Sequence, residues 1–249
     1  PLAALNIGLN SPVQAPASGH QEEIQLNAKE KELYQFSSVA LKDTEDAWTK
    51  ILKDYRRSYS PAKMVIFQQG IKTGCGVASS GTGPFYCGRD RKVYMDLSFY
   101  DTLLKEFGTK NNKFILSYVI SHEIGHHVQN ELGILDEVNK QRARVSESER
   151  NALTVRLELM ADYLAGVVAR YQQESGYLED GDIEDAIQTA WSIGDDTIQK
   201  RVQGHVTPES FTHGSSRQRM KWFKKGYEAG NLDGYNTFDT KRYPTTDSL

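Results

Sequence analysis

The string His122-Glu123-Ile124-Gly125-His126 holds the residues of this chain whose types and spacing best suit catalysis. On an α-helix a four-residue step returns a side chain to the same face one turn on, so both imidazoles can reach one ion. Glu123 is offset around the helix, where its carboxylate can take a proton from a metal-held water without binding the metal itself. Phe114, Ile115, Leu116, Tyr118, Val119 and Ile120 make the helix strongly apolar, which favours a built site over a surface histidine pair. Two buried histidines satisfied only by hydrogen bonds are the plainer alternative.

A catalytic zinc takes three protein ligands and keeps a fourth position open. The extended metzincin pattern needs Gly and His three and six residues beyond His126, where this chain has Gln129 and Leu132. Glu158-Leu159-Met160-Ala161-Asp162 offers a better third ligand, with two acids on one face of a following helix. Glu158 completes a His-His-Glu set, and Asp162 can accept the outer N–H of a ligand histidine, fixing its tautomer and raising its basicity. The pair also reads as an exposed acidic face, but Leu157, Leu159, Met160, Ala161, Leu164 and Ala165 crowd around both. The arrangement resembles the gluzincins, whose third ligand likewise opens a Glu-x-x-x-Asp string. Glu158 follows His126 by 32 positions, through the polar stretch DEVNKQRARVSESERN, a longer connection than in thermolysin-like members.

The elements that must carry these residues are mostly helices. Residues 1–27 mix Pro, Ala, Ser, Gln and Gly without periodicity and read as an N-terminal tether or arm ahead of a single domain over 28–249. Apolar residues recur at helical spacing from Lys29 to Tyr55. Met64–Phe67 and Lys92–Leu97 read as short strands, and a short helix runs from Asp96 or Ser98 to Phe107. Asn111 or Asn112 can cap the metal-site helix, which Gly133 stops near Leu132. Ser146 and Glu149 fit a capping box for a helix to Gln173. Asp182–Gln203 gives one or two helices with a break at Gly194, and residues 215–229 form a last basic, amphipathic helix. The fold class is therefore α+β, mostly helical, with a small strand region early in the chain.

Composition narrows the functional classes. Thirty basic against 33 acidic residues, a net charge of −3, leave no basic footprint for nucleic acid. No apolar run approaches a membrane span. The chain opens at Pro1 without an initiator Met or signal-peptide pattern, so a processed or truncated form is expected, with any membrane anchor upstream of Pro1. Cys75 and Cys87 stand twelve positions apart in GCGVASSGTGPFYCG. They can pair, bind metal or stay as thiols. Two cysteines make a poor zinc site, and a glycine-rich loop gains most from a crosslink, so a disulfide in an oxidising compartment is favoured.

The segments SHEIGHHVQN, LELMADYLAG, SIGDDTIQ, SFTHGSSRQR and GCG…GPFYC resemble the YpfJ-type neutral zinc metallopeptidases, a bacterial family related to gluzincins. The likeness runs in order from about Ser60 to Phe238. It implies a zincin-like fold with a small sheet beside the metal-site helix, peptide hydrolysis, Zn2+ held by His122, His126 and Glu158, and Glu123 as catalytic residue. Family members often carry an N-terminal membrane segment or export signal, which implies a periplasmic, extracellular or membrane-anchored domain outside the cytoplasm.

The expected reaction is hydrolysis of a peptide or protein substrate through zinc-bound water, with Glu123 as general base. His213, ahead of the last helix, is the candidate donor to the oxyanion, although a loop histidine equally serves as a surface or capping residue. His205 and His20 have weaker claims, and His127 is turned about 100° from His126, off the metal face. Tyr86 and Gly83 suit either an edge strand for an extended peptide or a plain crosslinked turn, the turn being favoured slightly. Asp195 and Asp196 are expected to cap or to pair with Arg217 or Arg219. The rival function is a non-catalytic zinc-binding scaffold or regulator with a vestigial site. It is disfavoured because Glu123 has no use in structural metal binding.

Overall fold

Glu30 and Asn27 form a reciprocal capping box that opens helix α1 (Ala28–Asp54). The computed structural model describes residues 3–7, 26–68, 70–79, 82–106 and 114–249. Along α1 the apolar stripe of Leu33, Ala40, Leu41, Ala47, Trp48, Ile51 and Leu52 is buried, as its helical spacing requires.

The strands are β1 (Ala3–Ile7), β2 (Lys63–Gln68), β3 (Gly70–Thr73), β4 (Gly76–Ser79), β5 (Phe85–Cys87) and β6 (Lys92–Met95). Four of them make one sheet in the order β1-β2-β6-β5. β2 and β6 are parallel, while β1 pairs antiparallel with β2 and β5 antiparallel with β6. Met64, Val65, Ile66 and Phe67 are all buried, because β2 is an inner strand covered on both faces. β3 and β4 form a separate hairpin. Cys75 at its turn is joined by a disulfide to Cys87 at the end of β5. The segment read as a tether or arm thus contributes β1, while residues 8–25 lie outside the described residues.

The helices that follow are α2 (Ser98–Glu106), α3 (Phe114–Glu131), α4 (Ile134–Arg142), α5 (Glu147–Glu174), α6 (Asp182–Ser192), α7 (Asp195–Gln203) and α8 (Ser216–Ala229). Ser146 and Glu149 do form a capping box on α5, and Ser215 with Gln218 forms another on α8. The expected caps Asn111 and Asn112 lie outside the described residues. The stretch expected to be only a polar connection contains α4. That helix is one-sided, with Val138 buried and Asp136, Glu137 and Lys140 turned to solvent. Among the described residues no helix is long and apolar enough to cross a membrane.

Close helix contacts set the geometry of the centre. A Cβ on Gly125 would lie 3.1 Å from the Ala161 backbone, so α3 and α5 touch between the two histidines of one and the acids of the other. Further along, a Cβ on Gly226 would lie 1.9 Å from the Tyr163 carbonyl oxygen, and one on Gly166 would lie 2.0 Å from that of Phe223. Only glycines allow α5 and α8 to approach this closely.

Candidate metal centre

α3 and α5 bring His122, His126 and Glu158 together with one donor atom from each inside 4.8 Å. The Glu158 carboxylate lies 3.1 Å from His122 Nε2 through one oxygen and 3.2 Å from His126 Nε2 through the other. A tetrahedral zinc with bonds of about 2.0–2.1 Å sets neighbouring donors roughly 3.3 Å apart, so the spacing of these atoms fits that ion.

Both histidines have their orientation fixed from behind. His122 Nδ1 donates to Asp162 at 2.8 Å, and His126 Nδ1 lies 2.9 Å from the Gln129 side-chain oxygen. Gln129 donates its amide to the Leu157 carbonyl at 2.7 Å, which turns its oxygen toward His126 and makes His126 Nδ1 the donor. Each Nε2 therefore presents its lone pair to the shared space, the form a metal needs. Gln129 lies one helical step from His126, so i,i+3 spacing was a readable signal for it.

Asp162 is fully buried yet satisfied four times over. It accepts from His122, from Tyr118 Oη at 2.8 Å, and from Arg219 Nε and Nη2 at 2.9 Å each. Burial alone would raise its pKa, but the Arg219 guanidinium and His122 outweigh burial and hold Asp162 ionised. Arg219 arrives from α8 and is 3 % exposed. Its partner is Asp162, so the ion pair weighed for Asp195 and Asp196 is not made with Arg219, whereas the capping role weighed beside it is seen at Asp196. Those two acids instead hold the loop before α8: Asp195 accepts from the Thr212, His213 and Gly214 N–H groups, and Asp196 from the Ser216 N–H and hydroxyl. A pair 57 residues apart has no local sequence signal.

Glu123 is 8 % exposed and takes no part in the three-donor cluster. Burial raises its pKa, against the pull of His122 and His126, and the Tyr86 backbone N–H donates to its carboxylate. Tyr86 belongs to β5, the outer strand of the sheet, so the turn favoured from sequence is an edge strand. It is only three residues long and pairs with β6, the next strand, across the four residues 88–91, a partner that lies outside GTGPFYC. His127, off the metal face as expected, braces that strand. Its Nε2 donates to the Ser60 carbonyl at 2.6 Å, leaving Nδ1 to accept from Tyr86 Oη at 2.9 Å. Asn130 adds a bond to the same oxygen at 3.0 Å.

The centre opens into a cleft of about 480 Å³ lined by β5, α3, α4, α5 and the loop carrying His213. His213 shares the cleft with His122 and Glu158, its ring about half exposed and its Nδ1 3.2 Å from Asp195. His205 is exposed and does not line that cleft, and His20 lies outside the described residues. A larger cavity of about 750 Å³ lies between α5, α8 and the C-terminal segment, away from these donors.

Two histidines from α3 and a glutamate from α5, with the Glu123 carboxylate standing beside them, are a donor set of the kind that can hold a single zinc ion. Comparison with known proteins gives that class its family. The model of a family described as "Putative neutral zinc metallopeptidase" matches residues 3–238, and the chain belongs to this family. The chain is 44% identical over 223 residues to "Uncharacterized protein YpfJ" of Escherichia coli (strain K12), covering 90% of this chain and 77% of that protein. It is 42% identical over 211 residues to "Uncharacterized protein Rv2575" of Mycobacterium tuberculosis, covering 80% of this chain and 69% of the relative. No solved structure matches the chain.

Proposed function

We propose that this protein is a zinc-dependent peptidase of zincin-like fold that cleaves an extended peptide laid along β5. The observation that carries the reading is the convergence of His122, His126 and Glu158 beside a carboxylate, Glu123, that is buried, unclaimed by the cluster and open to the same cleft. Zinc held there would supply Lewis acidity, lowering the pKa of its water toward about 7 and polarising the scissile carbonyl. Glu123 takes the proton from the attacking water and passes it to the leaving amine. Burial makes its carboxylate a stronger proton acceptor than an exposed glutamate. Burial works against charge on His213, but Asp195 accepts from its Nδ1 and raises its pKa, so the protonated ring can donate Nε2–H to the developing oxyanion. Among the described residues β5 has no partner strand on its outer edge, where a substrate strand can lie beside the Tyr86 N–H from which Glu123 accepts. The disulfide between Cys75 and Cys87 supports work in an oxidising compartment, outside the cytoplasm.

The test is digestion of a proteome-derived peptide library by the zinc-loaded chain, read by mass spectrometry. Cleavage that a chelator abolishes and added zinc restores is expected. A zinc-loaded chain that cleaves nothing in the library would favour the scaffold or regulator reading instead.

A further inference from the structure

The two ends of the cleft differ in chemistry, and β5 gives them a direction. At its N-terminal end the Phe99 ring is 3.4 Å from a Cβ placed on Gly83, and Phe99 packs in one apolar cluster with Val119 and Ile193, which also line the cleft. At its C-terminal end Leu135 of α4 is 3.1 Å from a Cβ placed on Gly88. About two turns further along α4, Arg142 lines the same cleft, as do Thr154 and Leu157 at the start of α5.

Arg142 is a cation with no carboxylate partner among the described residues. Among the described residues it forms no ion pair, and its one side-chain bond is a long 3.4 Å contact from Nη1 to Asn139 Oδ1. Its Nε is buried and has no hydrogen-bond partner. An orphaned buried donor is costly, and a guanidinium offers a planar fork that matches a carboxylate with two parallel bonds. Among the described residues the acids that line this cleft are Glu123 and Glu158, which belong to the candidate metal centre. Its guanidinium is therefore placed to take a carboxylate that arrives with the substrate.

A peptide adding to the outer edge of β5 pairs more stably antiparallel than parallel. It then runs from the α4 end toward the Phe99 end, so residues before the cleaved bond face Arg142. On the reading that this is a peptidase, we infer that Arg142 is a specificity-determining residue that selects an acidic side chain, Asp or Glu, on the N-terminal side of the scissile bond. A C-terminal carboxylate would sit at the opposite end and is not its ligand.

The experiment uses the full zinc-loaded chain and a quenched-fluorescent peptide that it cleaves, with Glu, Gln or Lys placed in turn at each of the three positions on either side of the cleaved bond. At one of the preceding positions Glu should be favoured over Lys in kcat/KM on the order of tenfold or more. Arg142→Gln should flatten that ratio and Arg142→Glu should invert it. The ratio is read within each variant, so a general loss of activity or folding cancels. No acid preference before the bond, a preference confined to the following positions, or a preference that survives Arg142→Glu would each overturn the inference while leaving the peptidase reading intact. Failure of the wild-type chain to cleave any peptide would instead remove both.

Discussion

Protons and a metal ion compete for the same atoms at this centre. Burial disfavours charge on His122 and His126, but the carboxylates of Asp162 and Glu158 outweigh it at His122, lifting its pKa to about 10, and Glu158 does the same for His126, which also rises. Glu158 is held well below the usual glutamate range, because the two imidazoles overcome its burial. Below the raised histidine pKa the metal-free site keeps its protons, and they must leave before Nε2 can bind zinc. Zinc binding at neutral pH should therefore release protons, and affinity should rise with pH. Calorimetry in buffers of different ionisation enthalpy reads the release directly. Heat that is independent of the buffer would contradict this account of the ligands.

At the scale of elements, the helix contacts decide whether these donors meet. Gly226 lets α8 seat on α5 and so delivers Arg219 to Asp162. The clash of an added methyl there is with backbone, which cannot rotate away. Gly226→Ala should cost about 3 kcal/mol or more, lowering Tm by roughly 6 °C or more in a chain of this size. A thermal melt that matches wild type would refute the close packing. Much of this layer was readable from sequence because it is local. The α1 stripe, the Ser146–Glu149 box, the break at Gly194 and the bounds of α3 at Gly133 all follow from neighbours within a turn or two. What escaped depends on distant partners. Asp195 and Asp196 stayed open between capping and ion pairing, because the N–H groups they accept come from a loop and a helix start 17 to 20 residues later. At the centre itself, the histidine spacing and the Glu-x-x-x-Asp string drew attention to the residues that the fold gathers. The Arg219 clamp and the Tyr86 contact to Glu123 could not be drawn from spacing at all.

Over the whole molecule, one arrangement separates a holder of metal from a user of water. The sheet places β5 along a cleft, the packing of α3 on α5 gathers three donors, and the loop before α8 adds His213. The disulfide ties the β3–β4 hairpin to that same outer strand, so the crosslink and the cleft share an element. Glu123 stands apart from the donors, and a scaffold would gain nothing from burying it there. The most direct measurement is therefore zinc content and peptide turnover of Glu123→Gln beside wild type, with Glu158→Ala as the variant that should lose metal. Glu123→Gln keeps shape and hydrogen bonding but cannot accept a proton. It should hold one zinc per chain while turnover falls by about 10² to 10⁴, a barrier increase of roughly 3 to 5 kcal/mol. Wild-type turnover in Glu123→Gln, or full zinc occupancy in Glu158→Ala, would contradict the account.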